Sequence, residues 1–353
     1  MTDTGHEFWR GKRVLLTGHS GFKGSWLTLW LHRLGAEVTG ISLPPVTDPN
    51  LFTLCRIEDL CQSNFCDIRR PEELRFLITA AAPQIVIHMA AQPLVRTSYL
   101  RPLETFDTNV MGTANLLEAI RGLPSVKVAV MVTTDKVYHN AERARPYVED
   151  DRLGSSDPYS ASKAASELVI TSYRDSYLDE QGVALASARA GNVIGGGDWS
   201  EYRLIPDAIR AWEAGKVLDI RCPDAVRPWQ HVLDPLFGYI TLAECLWHKP
   251  ALAGAYNFGP GADAAARVRD VIKIASDYYG SASVRYGNDI EGPHEANLLT
   301  LDSGKSMTKL GVTSRIGLLD TVRSTVDWYR ALGRGADASE LCLAEITSYQ
   351  ESL

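Results

Sequence analysis

The segment DPYSASK places Tyr159 and Lys163 four residues apart, on one face of a helix. A buried ammonium beside a phenol favours the phenolate and draws the tyrosine pKa from about 10 toward neutrality. A tyrosine tuned in this way exchanges a proton with a sugar or alcohol hydroxyl. A second reactive group stands in VTTDKVY, residues 132–138, directly after the apolar run VKVAVM. There Thr133 and Thr134 offer hydroxyls, and Asp135 and Lys136 set an acid beside a base where a buried strand becomes a loop. Taken singly, each has a plain alternative. The Tyr–Lys spacing is common on surface helices, and an Asp–Lys pair in a solvated loop is a weak ion pair.

A glycine-rich turn shifts the balance toward chemistry. TGHSGFKG carries Gly18, Gly21 and Gly24 between the β-rich run KRVLLTG and the helical run SWLTLWLHRLG. Glycines there permit a tight turn and close approach of the backbone to a pyrophosphate at the helix N-terminus. Phe22 and Lys23 on that turn are assigned with the glycines to a dinucleotide site. The second strand ends in ISLPP, which has no acid for an adenosine ribose, so the choice between NAD and NADP stays open there. Asp67 in CDIRR follows a candidate third strand and can accept from an adenine amino group, with Ile68 beside it. HMAAQP, residues 88–93, puts Ala90, Ala91 and Gln92 where a dinucleotide would cross the sheet.

The elements that must position these residues alternate. Strands are expected at KRVLLTG, AEVTGISL, PQIVIHMAA, VKVAVMVTT and VALASARAGNVIG, and helices at residues 25–35, 109–122 and over SASKAASELVITSYRDSYLDE. This rhythm predicts an α/β fold with a doubly wound parallel sheet. Past residue 195 the rhythm breaks. RPWQHVLDPLFGYITLAECLW reads as a helix returning to the first layer, GAYNFGPG as an edge strand, SVRYG as a short strand and EGPHEANLL as a loop. Residues 1–193, with 231–260 returning to them, are expected to form a Rossmann domain. Residues 194–230 and 261–353 are expected to form a smaller interleaved α+β substrate domain.

The totals bound the function. In 353 residues, 45% are hydrophobic and 22% charged, the composition of a globular protein with a large core. A net charge of −7 without a basic block argues against a general nucleic-acid binder. The six cysteines form no C-x-x-C pair and no zinc spacing, so no metal site is expected and the thiols read as reduced. The N-terminus MTDTGHEFWRGKR lacks a signal-peptide core, and no run approaches the ~18 apolar residues of a membrane span. The expectation is a cytoplasmic protein with no membrane partner.

With these residues in view, the chain resembles the extended short-chain dehydrogenase/reductase superfamily over essentially its whole length. The resemblance rests on the glycine turn, Asp67, HMAAQ, Asn109, the set Thr134, Tyr159 and Lys163, and RAGNVIGGGD. It implies NAD as cofactor, with Thr133 and Asn109 added to the cofactor site. It also implies that Thr134 orients a substrate hydroxyl, Tyr159 is the acid/base, and Lys163 holds the tyrosinate and the nicotinamide ribose. Within the superfamily the chain is similar to nucleotide-sugar 4,6-dehydratases. Those acting on dTDP- and GDP-sugars usually carry Asp-Glu after the Thr or Ser, and those acting on CDP-D-glucose carry Asp-Lys, as in Asp135-Lys136. GHSGFKGSWL, HMAAQPLVR, AGNVIGGGDW, RLIPD and RPWQHVL look like the same subgroup.

That resemblance implies conversion of CDP-D-glucose to CDP-4-dehydro-6-deoxy-D-glucose, in deoxysugar synthesis for bacterial surface polysaccharide such as lipopolysaccharide O-antigen. Asp135 would be the acid and Lys136 the base of the elimination. Asn192, Arg203, Leu204, Arg221, Arg227 and His294 would line the nucleotide-sugar site, where Arg forks suit phosphate oxygens. Paired long helices over 109–121 and 160–180 would make a homodimer or a dimer of dimers. Three alternatives remain open. A nucleotide-sugar 4-epimerase would use Tyr159 and Lys163 without needing Asp135-Lys136, a dehydratase could act on another nucleotide sugar, and a non-catalytic dinucleotide sensor would not need the full set.

Overall fold

A computed structural model describes residues 4–140, 145–261, 265–280, 282–287 and 299–353. Seven strands form one sheet: β1 Arg13–Thr17, β2 Glu37–Ser42, β3 Gln62–Phe65, β4 Ile85–His88, β5 Val128–Val132, β6 Ala184–Ala190 and β7 Gly254–Phe258. Every pairing is parallel, in the order β7-β6-β5-β4-β1-β2-β3. Strands β4 and β5 are buried throughout because both faces of the sheet are covered, which is why they read as unbroken apolar runs. The strand pleat sends successive side chains into two cores. Val14, Leu16, Ile87 and Val130 face one core, and Leu15, Val86, Ala129 and Leu185 face the other.

The helices that carry the site follow the strands. Helix α1, Phe22–Arg33, starts at the glycine turn, and Gly35, at φ +82°, lets the chain leave it. Helix α2 spans Pro71–Ala81. A π-turn at Asp107–Met111 leads into α3, Gly112–Ile120. Helix α4, Pro158–Tyr173, is started by Pro158 in its first turn and by the Asp157 carboxylate, which accepts from the Ser160 N–H at 2.9 Å. Helices α5, Leu204–Glu213, and α6, Leu233–His248, follow β6, and α7, Ala338–Glu351, is the last. Helix α7 lies on α1, with Trp30 and Tyr349 edge to face at 5.6 Å and the Tyr349 hydroxyl donating to Asp234 at 2.9 Å.

The edge strand expected at GAYNFGPG is β7, and SVRYG forms Val284–Tyr286, pairing with Leu218–Ile220. The helix expected from RPWQHVL onward begins only at Leu233. Val226–Pro228 instead pairs with Ala265–Arg267, and Gln230–His231 with Val193–Ile194. The Gln230 side-chain amide donates to the carbonyls of Gly191 and Phe258, which holds this stretch extended. No helix among the described residues is long and apolar enough to cross a membrane.

Candidate active site

The strand order reverses between β1 and β4, which opens a crevice at the carboxyl ends of the strands. The glycine turn closes one side of it. Gly18 has φ +80°, and a Cβ there would lie 2.8 Å from the Ala90 nitrogen. A Cβ on Gly24 would lie 2.0 Å from the Gly18 carbonyl oxygen, so helix α1 can pack this close to the turn only with glycine. Gly21 caps α1 without a side-chain bond, and no acid stands in the first turn. The loop after β4 is tied down by Asn109, which is buried in the π-turn. Its side chain accepts from the Gln92 N–H at 2.8 Å and donates to the Gln92 carbonyl at 3.1 Å and to Ser162 Oγ at 2.8 Å. Asp67, just past β3, is oriented by Arg69 at 2.6 Å, and that hydrogen bond holds its carboxyl below the usual range. Ile68 turns into the core beneath Gly112.

The reactive side chains meet where β5 ends beside α4. Thr133, Thr134, Asp135, Tyr159 and Lys163 are all buried. Thr134 Oγ1 donates to Asp135 Oδ1 at 2.9 Å, and its hydroxyl also bonds the Tyr159 phenol. Asp135 is only 1% exposed, and its second carboxylate oxygen has no partner. Gly191, one residue past β6, makes room for that carboxylate, because a Cβ there would sit 2.0 Å from Asp135 Oδ2. Lys136 is half-buried beside it.

Burial lowers the Lys163 pKa to about 8, against the opposing charge of Glu167. Its Nζ donates to the Val132 carbonyl at 3.4 Å. Burial pushes the Tyr159 phenol up to about 12, against the Thr134 hydrogen bond and the charge of Arg203. This corrects the expectation that Lys163 draws the phenol toward neutrality. The ammonium is turned to the strand carbonyl, and the loss of water around the phenol outweighs the charges near it. Lys23, deep in the crevice, donates to the Tyr239 hydroxyl at 3.0 Å. Burial pulls its pKa down to about 7, helped by Arg203 and Lys163 and opposed by Asp135.

A cavity of about 540 Å³ opens over these groups. It brings together Lys23, Thr133, Thr134, Asp135, Lys136, Tyr159, Asn192, Arg203, Leu204, Arg221 and Arg227. Lys163, Gly18, Gly21, Gly24, Phe22, Asp67, Ile68, Ala90, Ala91, Gln92 and Asn109 are not among its lining residues. His294 lies outside the described residues. Asn192 has φ +42° and a buried amide nitrogen without a partner. Arg203 stands 3.7 Å from the buried Asp198. Sequence reasoning did not single out Arg96 and Tyr202, which also line the cavity and stack with the guanidinium 4.7 Å from the ring centre. Arg96 stands in HMAAQPLVR, but nothing in the spacing pairs it with a residue more than a hundred positions away.

Residues 14–253 match the NAD dependent epimerase/dehydratase family. Over 351 residues the chain is 45% identical to CDP-glucose 4,6-dehydratase of Salmonella typhimurium, spanning 98% of each chain. The chain belongs to the NAD dependent epimerase/dehydratase family. Two solved structures share its fold. One is dTDP-glucose 4,6-dehydratase from Bacillus anthracis in complex with NAD, with TM-score 0.76 and 24% identity over 91% of this chain and 97% of that one. The other is UDP-glucose-4-epimerase from Stenotrophomonas maltophila with bound NAD and formylated UDP-arabinopyranose, with TM-score 0.78 and 23% identity over 92% and 99%.

Family membership makes the cofactor NAD, which resolves the choice left open at ISLPP. There Ser42 takes the place of an acid at the end of β2 and donates to Ser20 Oγ at 2.9 Å. The residues fit a dinucleotide. The N-terminus of α1 has no side-chain cap, and the turn before it bears no side chain at Gly21, where a Cβ would meet only the Gly18 carbonyl oxygen at 3.4 Å, so the backbone there is open to the approach of a pyrophosphate.

Proposed function

We propose that the protein is a CDP-glucose 4,6-dehydratase, converting CDP-D-glucose to CDP-4-dehydro-6-deoxy-D-glucose and water. The observation that carries this reading is Asp135, a buried carboxylate beside Thr134 with an unpaired oxygen and with Lys136 next to it, all lining one cavity. Oxidation of a sugar hydroxyl needs only the Thr134, Tyr159 and Lys163 set. Expelling water needs a further acid and base. NAD, when bound, supplies the hydride acceptor for carbon 4 and the hydride donor for carbon 6. Thr134 orients the 4-hydroxyl, and Tyr159 takes its proton as the phenolate, a form that the positive nicotinamide ring of bound NAD and the Lys163 ammonium would favour against the burial that raises the phenol. The resulting ketone acidifies the proton on carbon 5, which Lys136 removes while Asp135 protonates the departing 6-hydroxyl. Lys136 then returns a proton to carbon 5.

The cationic side of the cavity suits a diphosphate. Arg203, Arg221 and Arg227 supply guanidinium groups, and Asn192 offers an amide donor. The match to the Salmonella enzyme along nearly the full chain supports cytidine as the nucleoside. The test is turnover of CDP-, dTDP- and UDP-D-glucose with product analysis. The 6-deoxy-4-keto sugar should form from CDP-D-glucose with kcat/KM at least about tenfold above the others, a discrimination worth about 1.4 kcal/mol. Equal values would remove the cytidine assignment, and a 4-epimer without dehydrated product would remove the dehydratase.

The protein is also read as a homodimer. Apolar side chains of Leu100, Leu103, Met111 and Leu168 stand exposed on adjoining helices of the 95–120 segment and α4, which supports that reading.

A further inference from the structure

Beneath the catalytic residues lies a buried ion pair that the reaction above does not use. Glu167 is 2% exposed and Arg189 3% exposed. Glu167 stands four residues after Lys163 and eight after Tyr159, on the same inward side of α4. Its Oε1 accepts from Thr133 Oγ1 at 2.5 Å and Arg189 Nε at 3.0 Å, and its Oε2 from Ser187 Oγ and Arg189 Nη2, each at 2.8 Å. Arg189 continues outward, donating to the Tyr138 hydroxyl at 2.8 Å and the Glu149 carbonyl at 2.9 Å. Tyr138 in turn donates to Asn257 on β7 at 2.6 Å. The network therefore joins α4 to β5, β6 and β7, and its innermost link is Thr133, the residue before Thr134.

We propose that Glu167 is a positioning residue for catalysis, holding the end of β5 against α4 through Thr133 and presenting a fixed negative charge one helical turn from Lys163. A buried ion pair by itself is weak evidence of stabilisation, since its desolvation offsets its attraction. The placement of this one argues for a role in the site. The charged and titratable groups that act on Lys163 are Glu167 on its own helix, His88 from β4 and Lys23 from α1, with Tyr159 one turn before it on α4. Burial holds His88 near 3, and so neutral, while Lys23 is a basic group. Glu167 is the anion that raises the Lys163 pKa against burial. Burial works to protonate Glu167, but Arg189 and the two hydroxyls outweigh it and hold the carboxyl below its usual range.

The sign follows. Removing the Glu167 charge lowers the pKa of Lys163, so the ammonium is lost at lower pH. An activity that needs a charged Lys163 then loses its alkaline limb at lower pH. This rests on Tyr159 and Lys163 serving the reaction proposed above, but titration of Lys163 is read without turnover and separates the two. The experiment is NMR titration of NAD-loaded protein labelled at lysine Cε, assigned with Lys163→Met, beside pH profiles of kcat and KM. Glu167→Gln should lower the Lys163 midpoint by about one pH unit or more, move the alkaline limb with it and reduce kcat at least about tenfold, with KM little changed.

Glu167→Asp, which keeps the charge, should restore most of the midpoint, and Ser187→Ala should leave it in place. Should Glu167→Gln fail to fold, the neutral pair Glu167→Gln/Arg189→Met keeps the question open to measurement, because uncharged replacements of buried ion pairs are often tolerated. Its Lys163 midpoint should also fall. An unchanged midpoint in either folded variant overturns the proposal, and a loss of folded protein with an unshifted alkaline limb reduces Glu167 to support of the fold.

Discussion

In the proposed reaction Asp135 and Lys136 carry the distinction between oxidation and elimination. Asp135→Asn keeps the shape and removes the acid, and Lys136→Met keeps most of the stem and removes the amine. Each should slow overall turnover by about a hundredfold or more, the scale of a positioned acid or base. Each should still form bound reduced cofactor, seen at 340 nm in a single turnover, because Tyr159 and Thr134 are untouched. Tyr159→Phe should form little. Near wild-type product formation in the Asp135 and Lys136 variants would leave the pair as a mere loop. At this scale the sequence was most informative where chemistry and chain order coincide. Tyr159 and Lys163 share a helix face, and Thr134 adjoins Asp135. It was silent on Glu167 and Arg189, whose pairing depends on β6 lying beside β5. It also misjudged the direction of the Tyr159 shift, because the weight of burial against charge depends on depth and on where the Lys163 ammonium points.

Among the elements, the parallel strands were legible because burial on both faces leaves continuous apolar runs, and α1 because glycine marks both ends. The two-residue ladder of Gln230–His231 was not legible. It is set by a side-chain amide reaching Gly191 and Phe258, which no local periodicity records. The close contact of β6 with the loop after β5 gives a prediction at this scale. Gly191→Ala would place a methyl 2.0 Å from Asp135 Oδ2, so the carboxylate must move. The expected result is a folded protein destabilised by roughly 1–3 kcal/mol, the usual cost of overpacking. Elimination should slow as in Asp135→Asn, while reduction of bound cofactor persists. Thermal melts and single-turnover absorbance check this, and an unaltered elimination rate would show that Asp135 needs no fixed position.

For the whole molecule, the sheet order and its switch point open a crevice at one end of the strands, the place proposed above for cofactor and substrate, as expected from alternating strands and helices. Assembly is a separate matter. Leu103 is 84% exposed and Leu168 64%, on adjoining helices, so on the homodimer reading proposed above the unaltered protein should sediment as a dimer and Leu103→Glu with Leu168→Glu as a monomer in sedimentation velocity. An unchanged dimer would place the interface elsewhere. The central claim is that one site oxidises carbon 4, expels water across carbons 5 and 6, and returns the same hydride to carbon 6. Its most direct test is turnover of CDP-D-glucose deuterated at carbon 4, with the product read by NMR and mass spectrometry. The account predicts deuterium at carbon 6 of a 6-deoxy-4-keto product, solvent hydrogen at carbon 5 and no net NADH. Deuterium kept at carbon 4 of an unreduced or epimerised sugar, or accumulating in free NADH, would contradict it.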